Sequence, residues 1–136
     1  MAFLTWTPAY SVGVDAFDRE HVRLMEMINA LHDGMHTGKA KAALDKVMEE
    51  LISYTVHHFE HEERELLKHG YPQLRAHKEQ HKELRAHVME FRNRLTLGFN
   101  GAVAIEMSRF LRAWLLRHIQ DEDREYGRFL NAKGIY

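Results

Sequence analysis

The stretch LRAHKEQHKELRAHVMEFRNRL, residues 74–95, decides the fold because its core-type positions recur in alternating steps of three and four. The positions of this stripe are Leu74, His77, His81, Leu84, Val88, Phe91 and Leu95. Such spacing marks one face of an amphipathic α-helix. Two of the seven positions are imidazoles one helical turn apart, and a polar group that faces a core needs a partner to offset its desolvation. The stretch therefore predicts both a packed helix and a buried polar site.

Three other segments repeat this period. Their stripes are Phe17, His21, Leu24, Ile28, Leu31 and Met35; Leu44, Met48, Leu51, Thr55, His58, Glu62 and Leu66; and Met107, Leu111, Trp114, Leu115, His118 and Ile119. We expect an N-terminal arm over about residues 1–16 and helices over about 17–37, 40–68, 72–96 and 102–130. Because short connections make successive helices antiparallel, the sequence predicts a single all-α domain over 1–136, an up-down-up-down four-helix bundle.

The composition excludes several classes of protein. The 136 residues include no cysteine, which rules out disulfide frameworks, thiolate zinc sites and iron–sulfur clusters. The net charge is -1, and no basic tract suited to nucleic acid is present. The first nine residues lack the pattern of a signal peptide, and no apolar run is long enough to cross a membrane. We expect a cytoplasmic protein that neither binds nucleic acid nor inserts into a membrane.

Residues with metal-ligand side chains lie on or beside all four stripes: His21, His58, Glu62, His77, His81, His118 and Asp123. Side chains at positions i and i+4 of a helix can reach a common point, as His58 and Glu62 or His77 and His81 would. One histidine on an apolar face is more often a hydrogen-bonded core residue than a ligand. Several such histidines in one bundle interior favour a metal site, because each would otherwise need both a donor and an acceptor.

Spacing leaves open which carboxylate of the last helix joins His118 as a ligand. Glu122 lies at i+4 from His118, whereas Asp123 lies at i+5, about 140° round an α-helix. The i+4 rule alone favours Glu122.

The remaining histidines are interpreted as surface residues. His57 and His61 also stand at i and i+4, but they share their face with Tyr54, Glu50 and Glu65 and should be partly exposed. The others fall off the stripes and should be solvated: His32, His36, His69 and His87. The metalloprotease pattern H-E-x-x-H is absent.

The candidate ligands stand in motifs that resemble those of the bacterial hemerythrins, in the hemerythrin family of non-haem di-iron oxygen-binding proteins. The likeness covers nearly the whole chain. Its opening motif runs from Trp6 through Tyr10-Ser-Val-Gly-Val14 and Phe17-Asp18 to His21. An H-x-x-x-E follows at residues 58–62, an H-x-x-x-H at 77–81, and an H-x-x-x-x-D at 118–123. No ligand position departs from the family pattern.

This resemblance implies two iron ions joined by an oxo or hydroxo bridge. Glu62 and Asp123 would also bridge the ions, so the family pattern favours Asp123 over Glu122. The five histidines would be terminal ligands, three on one iron and two on the other. Two octahedral ions offer twelve positions, of which one would stay open on the two-histidine iron for dioxygen. Leu115 would contact the dioxygen in a dry pocket with Phe59, Trp114 and Ile119.

The resemblance favours reversible dioxygen binding for transport, storage or delivery, and not catalysis. Alternatives that use the same centre are an enzyme acting on peroxide or nitric oxide, and an oxygen or redox sensor. No additional acid–base pair stands out on the stripes. Zinc or copper would also suit a histidine-rich site, but two bridging carboxylates favour a dinuclear centre and the family favours iron. We expect a monomer that passes oxygen or electrons to an unidentified recipient protein.

Overall fold

A computed structural model describes residues 3–36, 41–96 and 101–136. It contains α1 (Asp15–His36), α2 (Lys41–Lys68), α3 (Leu74–Thr96), α4 (Gly101–His118), a π-helical turn (Ile119–Asp123) and α5 (Arg124–Ala132). Helix α1 packs mainly against α2 and α4, and α3 packs against the same two helices, so α1 and α3 occupy opposite corners. This arrangement confirms the predicted antiparallel four-helix bundle. Within these described ranges, no helix is long and apolar enough to cross a membrane.

The helix bounds differ from the predicted ones by one or two residues at several ends, including the end of the last helix at Ala132 instead of about residue 130. Helix α1 begins at Asp15, two residues earlier than expected. Helix α3 begins at Leu74 and not at Pro72, because residues 72–73 form a turn before it. The last predicted helix is not continuous, since the π-helical turn divides it. The expected ends and connections at residues 37–40 and 97–100 lie outside the described residues.

The connection between α2 and α3 is built around a glycine. Gly70 adopts a left-handed conformation with φ of 71°, which costs glycine little. The backbone N–H of Tyr71 donates to the carbonyl of Leu66 at 2.9 Å, and that of Gly70 donates to Leu67 at 3.2 Å. These two hydrogen bonds form a Schellman motif, which ends α2 and returns the chain alongside it.

The apolar members of the four stripes form the core. The buried residues that fill the bundle beyond the polar site are Leu24, Ile28, Leu31, Met48, Leu51, Leu84, Val88, Phe91, Leu95, Met107 and Leu111. Burial of one such side chain stabilises the folded state by about 1.5–3 kcal/mol. This part of the bundle therefore offsets much of the free-energy cost of burying the polar site.

The N-terminal arm is fastened to the bundle by side chains of α1 and α5. The Asn29 side chain accepts from the backbone N–H of Leu4 at 2.7 Å and donates to its carbonyl at 2.8 Å. Asp18 accepts from the backbone N–H of Val12 at 2.9 Å. Asn131 of α5 donates to the carbonyl of Gly13 at 2.9 Å. The arm therefore closes one side of the bundle as an ordered part of the fold.

Gly127 lets the arm approach α5 closely. A Cβ atom at this position would stand 1.8 Å from the carbonyl oxygen of Val12, a backbone atom that cannot rotate away. No other residue type fits without displacing the arm.

We predict that Gly127→Ala detaches the arm and destabilises the protein by roughly 1–3 kcal/mol, as overpacking typically does. The measurements are chemical denaturation and amide hydrogen exchange over the arm. Gly70→Ala is the matched control, because open space surrounds Gly70 and only backbone strain of about 1–2 kcal/mol is expected. If arm exchange were no faster in Gly127→Ala than in Gly70→Ala, the close approach would not be what holds the arm.

Candidate metal centre

The antiparallel topology brings the start of α1, the end of α2, the start of α3 and the end of α4 to one end of the bundle. All seven predicted ligand side chains meet there. Each is no more than 4% exposed: His21, His58, Glu62, His77, His81, His118 and Asp123. The polar residues interrupt the stripes early in α1 and α3 and late in α2 and α4. They converge because antiparallel packing brings these helix ends together.

The seven residues form two groups that share both carboxylates. In one group, ligand atoms of His77, His81, His118, Glu62 and Asp123 lie within 4.8 Å of one another. In the other, His21 and His58 join the same two carboxylates within the same distance. We call these the three-histidine group and the two-histidine group.

In the three-histidine group, each Nε2 atom faces a carboxylate oxygen. His81 Nε2 lies 3.2 Å from Glu62 Oε1. His77 and His118 place Nε2 at 3.2 Å and 3.0 Å from Asp123 Oδ1. The Nε2 atoms of His81 and His118 are 3.2 Å apart.

The two-histidine group uses the opposite oxygens of the same carboxylates. His58 Nε2 lies 3.2 Å from Glu62 Oε2. His21 Nε2 lies 3.1 Å from Asp123 Oδ2 and 3.4 Å from Glu62 Oε2. Each carboxylate thus presents one oxygen to each group, which is the geometry of a bridge between two metal ions.

The spacing of these atoms fits a pair of metal ions. With metal–nitrogen bonds of about 2.1 Å, adjacent ligands of an octahedral ion lie about 3 Å apart, close to the separations observed. Both nitrogens of His21 and both oxygens of Asp123 are buried without a hydrogen-bond partner. Unpartnered buried polar atoms are rare and call for an explanation such as a bound ion. Imidazole nitrogen with carboxylate oxygen is a donor set that suits iron.

The π-helical turn resolves the ambiguity between Glu122 and Asp123. One residue more per turn rotates position i+5 onto the face that i+4 occupies in an α-helix. Asp123 therefore points inward from below His118 and enters both groups. Glu122 lies on the outer side of the same imidazole, with Oε2 3.6 Å from His118 Nδ1. The i+4 rule is wrong here because it assumes an unbroken α-helix.

Carboxylates outside the two groups hold the other ring nitrogens of two histidines. Glu20 Oε1 lies 2.6 Å from His58 Nδ1, and Glu63 Oε2 lies 2.9 Å from His81 Nδ1. Such contacts orient an imidazole and strengthen its Nε2 as a donor to metal. Neither Glu20 nor Glu63 is among the site residues predicted from the sequence. The available signal was their position, each next to a predicted ligand.

Tyr126 is a further residue that the sequence analysis missed. Its side chain is completely buried, and its hydroxyl donates to Glu62 Oε2, the oxygen on the two-histidine side. Tyr126 stands three residues after Asp123, one turn along α5, and that spacing was its only signal. It ties α5 directly to the centre.

Of the four residues predicted to form an oxygen pocket, two stack on ligand histidines and two are buried in the core close to His118 in the chain. The Phe59 ring stacks on His81 at 3.7 Å, and the Trp114 ring stacks on His118 at 4.4 Å. These two rings therefore flank the three-histidine group. Leu115 and Ile119 are buried in the core. Contact of any of the four with dioxygen stays a prediction.

The other histidines depart in part from the surface interpretation. His61 is partly exposed, as expected, yet its Nδ1 lies 2.6 Å from Glu20 Oε2, so Glu20 joins His61 to His58.

His32 is not simply solvated, because its ring stacks on Phe3 of the arm at 3.9 Å. His57 is exposed and His69 is partly exposed, whereas His87 packs against Phe110. The side chain of His36 lies outside the described residues.

Comparison with known proteins agrees with this geometry. The model of the hemerythrin HHE cation-binding domain matches residues 12–130. A bacteriohemerythrin of Pseudomonas paraeruginosa is 40% identical over 126 residues, which cover 93% of this chain and 80% of that protein. A bacteriohemerythrin of Methylococcus capsulatus is 36% identical over 133 residues, 97% of this chain and 100% of that protein. The crystal structure of a wild-type hemerythrin matches with a TM-score of 0.86 and 35% identity, covering 93% of this chain and 97% of that one.

The charges of the centre stabilise one another. Burial opposes a charge on the histidines, but contacts with Asp123 and Glu62 raise the pKa of His21 and His77 to about 10. Asp123 likewise raises the pKa of His118 to about 9. Burial also opposes a charge on the two carboxyls, yet the surrounding imidazoles hold their pKa well below the usual range. Without metal, the folded state therefore prefers protonated imidazoles beside ionised carboxylates.

We predict that the free energy of unfolding of the metal-free protein falls as the pH rises from about 6.5 to about 10. A histidine whose pKa is raised on folding contributes all its stability below the unfolded-state pKa and loses it as the pH passes the folded-state value. Chemical denaturation between pH 6 and pH 10 measures the slope. Bound metal should flatten it, because ligation keeps the imidazoles neutral.

The exposed His57 offers a control, since His57→Gln should keep the slope of the metal-free protein. Metal-free stability that stayed constant or rose over this range would contradict the charge pattern.

Proposed function

The chain belongs to the hemerythrin family of HHE cation-binding domains, and we propose that it binds dioxygen reversibly at a non-haem di-iron centre. The proposal rests above all on the two groups of buried ligand atoms that share Glu62 and Asp123. The family is known for oxygen binding at such a centre. Transport, storage and delivery of dioxygen are the roles that this activity would serve.

We assign the two groups of residues to two irons. His77, His81 and His118 would hold one iron, and His21 and His58 the other. Glu62 and Asp123 would bridge them through the oxygens that face each group. Bound iron supplies the electrons that reversible dioxygen binding requires. The smaller number of histidines in one group leaves room for a small molecule on that side.

The ligand set favours binding of dioxygen over its cleavage. Ferritin-like di-iron sites combine four carboxylates with two histidines. Here five neutral imidazoles and two carboxylates would surround the metals, so the ligands bring less negative charge. Lower negative charge disfavours the highly oxidised iron that cleavage of the O–O bond demands. Glu20 and Glu63 offset this only indirectly, through hydrogen bonds to Nδ1 atoms.

Apolar and aromatic side chains would keep water from the centre. Phe59 and Trp114 cover His81 and His118, and Phe17 presents its edge to His58. Leu115 and Ile119 are buried beside them in α4 and the π-helical turn. A dry site limits loss of electrons to water and to competing anions.

The decisive experiment is repeated oxygenation of the purified, anaerobically reduced protein. We predict two irons per chain, one for each ligand group, and a visible absorption band that appears with oxygen and disappears on its removal over many cycles. A protein that binds zinc or copper in preference to iron would fail this test. Rapid, irreversible oxidation would instead favour peroxide or nitric-oxide chemistry, or redox sensing.

We predict that Leu115→Ala accelerates autoxidation severalfold, because the shortened side chain admits water to the predicted oxygen pocket. Leu111→Ala is the matched control. Both leucines lie in α4 and are 5% exposed, but Leu111 stands one turn farther from His118. Both substitutions should lower stability by about 2–5 kcal/mol. The absorbance decay of the oxygenated protein measures autoxidation, and equal rates in the two variants would remove Leu115 from the pocket.

A further inference from the structure

Two cavities approach the centre from the side of α3 and α4. The larger is a cleft of about 320 Å³, whose walls include Gln80, Glu83, Trp114, Arg117, His118 and Glu122. The smaller, of about 80 Å³, is lined in part by Tyr71, His77, Gln80 and Glu122. Each cavity therefore reaches one member of the three-histidine group, His118 in the first case and His77 in the second.

Gln80 and Glu122 form the wall between the cavities, since both residues line both of them. Glu122 Oε2 and Gln80 Oε1 have no hydrogen-bond partner. The Glu122 side chain is 24% exposed, whereas its Oε2 atom is buried 3.6 Å from His118 Nδ1, so the side chain extends from the cleft to the imidazole. Two unpartnered oxygens beside a buried ligand suit a partly hydrated divalent cation, which prefers oxygen donors.

The two-histidine group lies on the other side of the centre. His21 is 0% exposed and His58 is 1% exposed. Phe17 and Glu20 of α1 contact His58, and the arm packs along α1. Neither His21 nor His58 lines either of the two cavities. An ion that starts from the cleft would meet the three-histidine group first.

We propose, on the basis of the proposed function, that metal ions enter through the α3–α4 cleft and fill the three-histidine group before the two-histidine group. Glu122 attracts the hydrated cation, and its carboxylate and the Gln80 amide oxygen replace water ligands. The ion then passes His118, at the end of α4, to reach the Nε2 atoms and the shared carboxylates. A second ion reaches the two-histidine group only after the three-histidine group is occupied.

Charge on the cleft wall should set the rate of this process. Glu83 and Glu122 attract a cation, whereas Arg117 repels it. Field effects of this kind change association rates by about 10-fold to 1,000-fold and weaken with salt. The number of ions bound at equilibrium should not change, because Glu122 belongs to neither ligand group.

The test is stopped-flow uptake of Co²⁺ by the metal-depleted full chain, whose helical content is verified by circular dichroism. We expect Glu122→Gln to slow uptake by up to about 10-fold at low salt, because it removes one of the charges that make up the field of the cleft, and still to bind two ions. Glu90→Gln is the matched control, because Glu90 is exposed on α3 and does not line the cleft. Arg117→Gln should have the opposite effect and accelerate uptake.

The outcomes separate this proposal from the proposed function. If the wild-type chain bound no Co²⁺, the proposed metal centre itself would fail. If it bound two ions but Glu122→Gln and Glu90→Gln loaded equally fast, only the access route would be overturned. Loss of one bound ion in Glu122→Gln would also overturn it, since Glu122 would then be a ligand.

The order of filling has its own measurement. Crystals of the metal-depleted protein would receive one equivalent of Co²⁺ per chain, and anomalous scattering would locate the ion. The proposal requires the stronger peak among His77, His81 and His118. A stronger peak between His21 and His58 would contradict the order.

Discussion

Two carboxylates in the bundle interior, those of Glu62 and Asp123, impose the constraint on which the rest of the structure depends. Neither carboxylate reaches solvent, so each must find positive charge or strong donors within the protein. Five imidazoles supply these partners from four helices. In the metal-free protein this compensation requires protons on histidines, and in a loaded protein the metal ions would replace them. Folding and metal binding thus use the same set of contacts.

The positions at which the helices begin, end and change period bring the imidazoles to these two carboxylates. Antiparallel packing brings together residues early in α1 and α3 and late in α2 and α4. The π-helical turn then turns Asp123 inward and leaves Glu122 outside the imidazole of His118. Helix α5 follows this turn directly, and its Tyr126 hydroxyl donates to Glu62. The extra residue in the π-helical turn therefore affects two contacts of the centre, those of Asp123 and Tyr126.

The fold and six of the seven central residues, all except Asp123, could be predicted from the sequence because both follow from periodicity. The stripes specify which side chains face the interior, and short connections specify which helix ends coincide. Periodicity could not predict the inward turn of Asp123, since nothing in Ile119–Asp123 breaks an α-helix in the way that proline does. Nor could it predict the contacts of Glu20 with His58 and His61, which depend on side-chain conformations across two helices. For Asp123, the family motif supplied what helical geometry alone could not.

Each carboxylate presents one oxygen to each histidine group, but the surroundings of the two groups differ. This difference separates the side where metal would enter from the side where dioxygen would bind. Glu20, Phe17 and the arm enclose the two-histidine side, where an open coordination position would need protection from water. Trp114 stacks on His118 of the three-histidine side, whereas Phe59 contacts both groups, because its ring stacks on His81 and lies 5.9 Å from that of His58. The α3–α4 cleft reaches the three-histidine side at His118, and Trp114 forms part of its wall. With two irons bound as proposed, metal would exchange on one side of the bundle and dioxygen would be protected on the other.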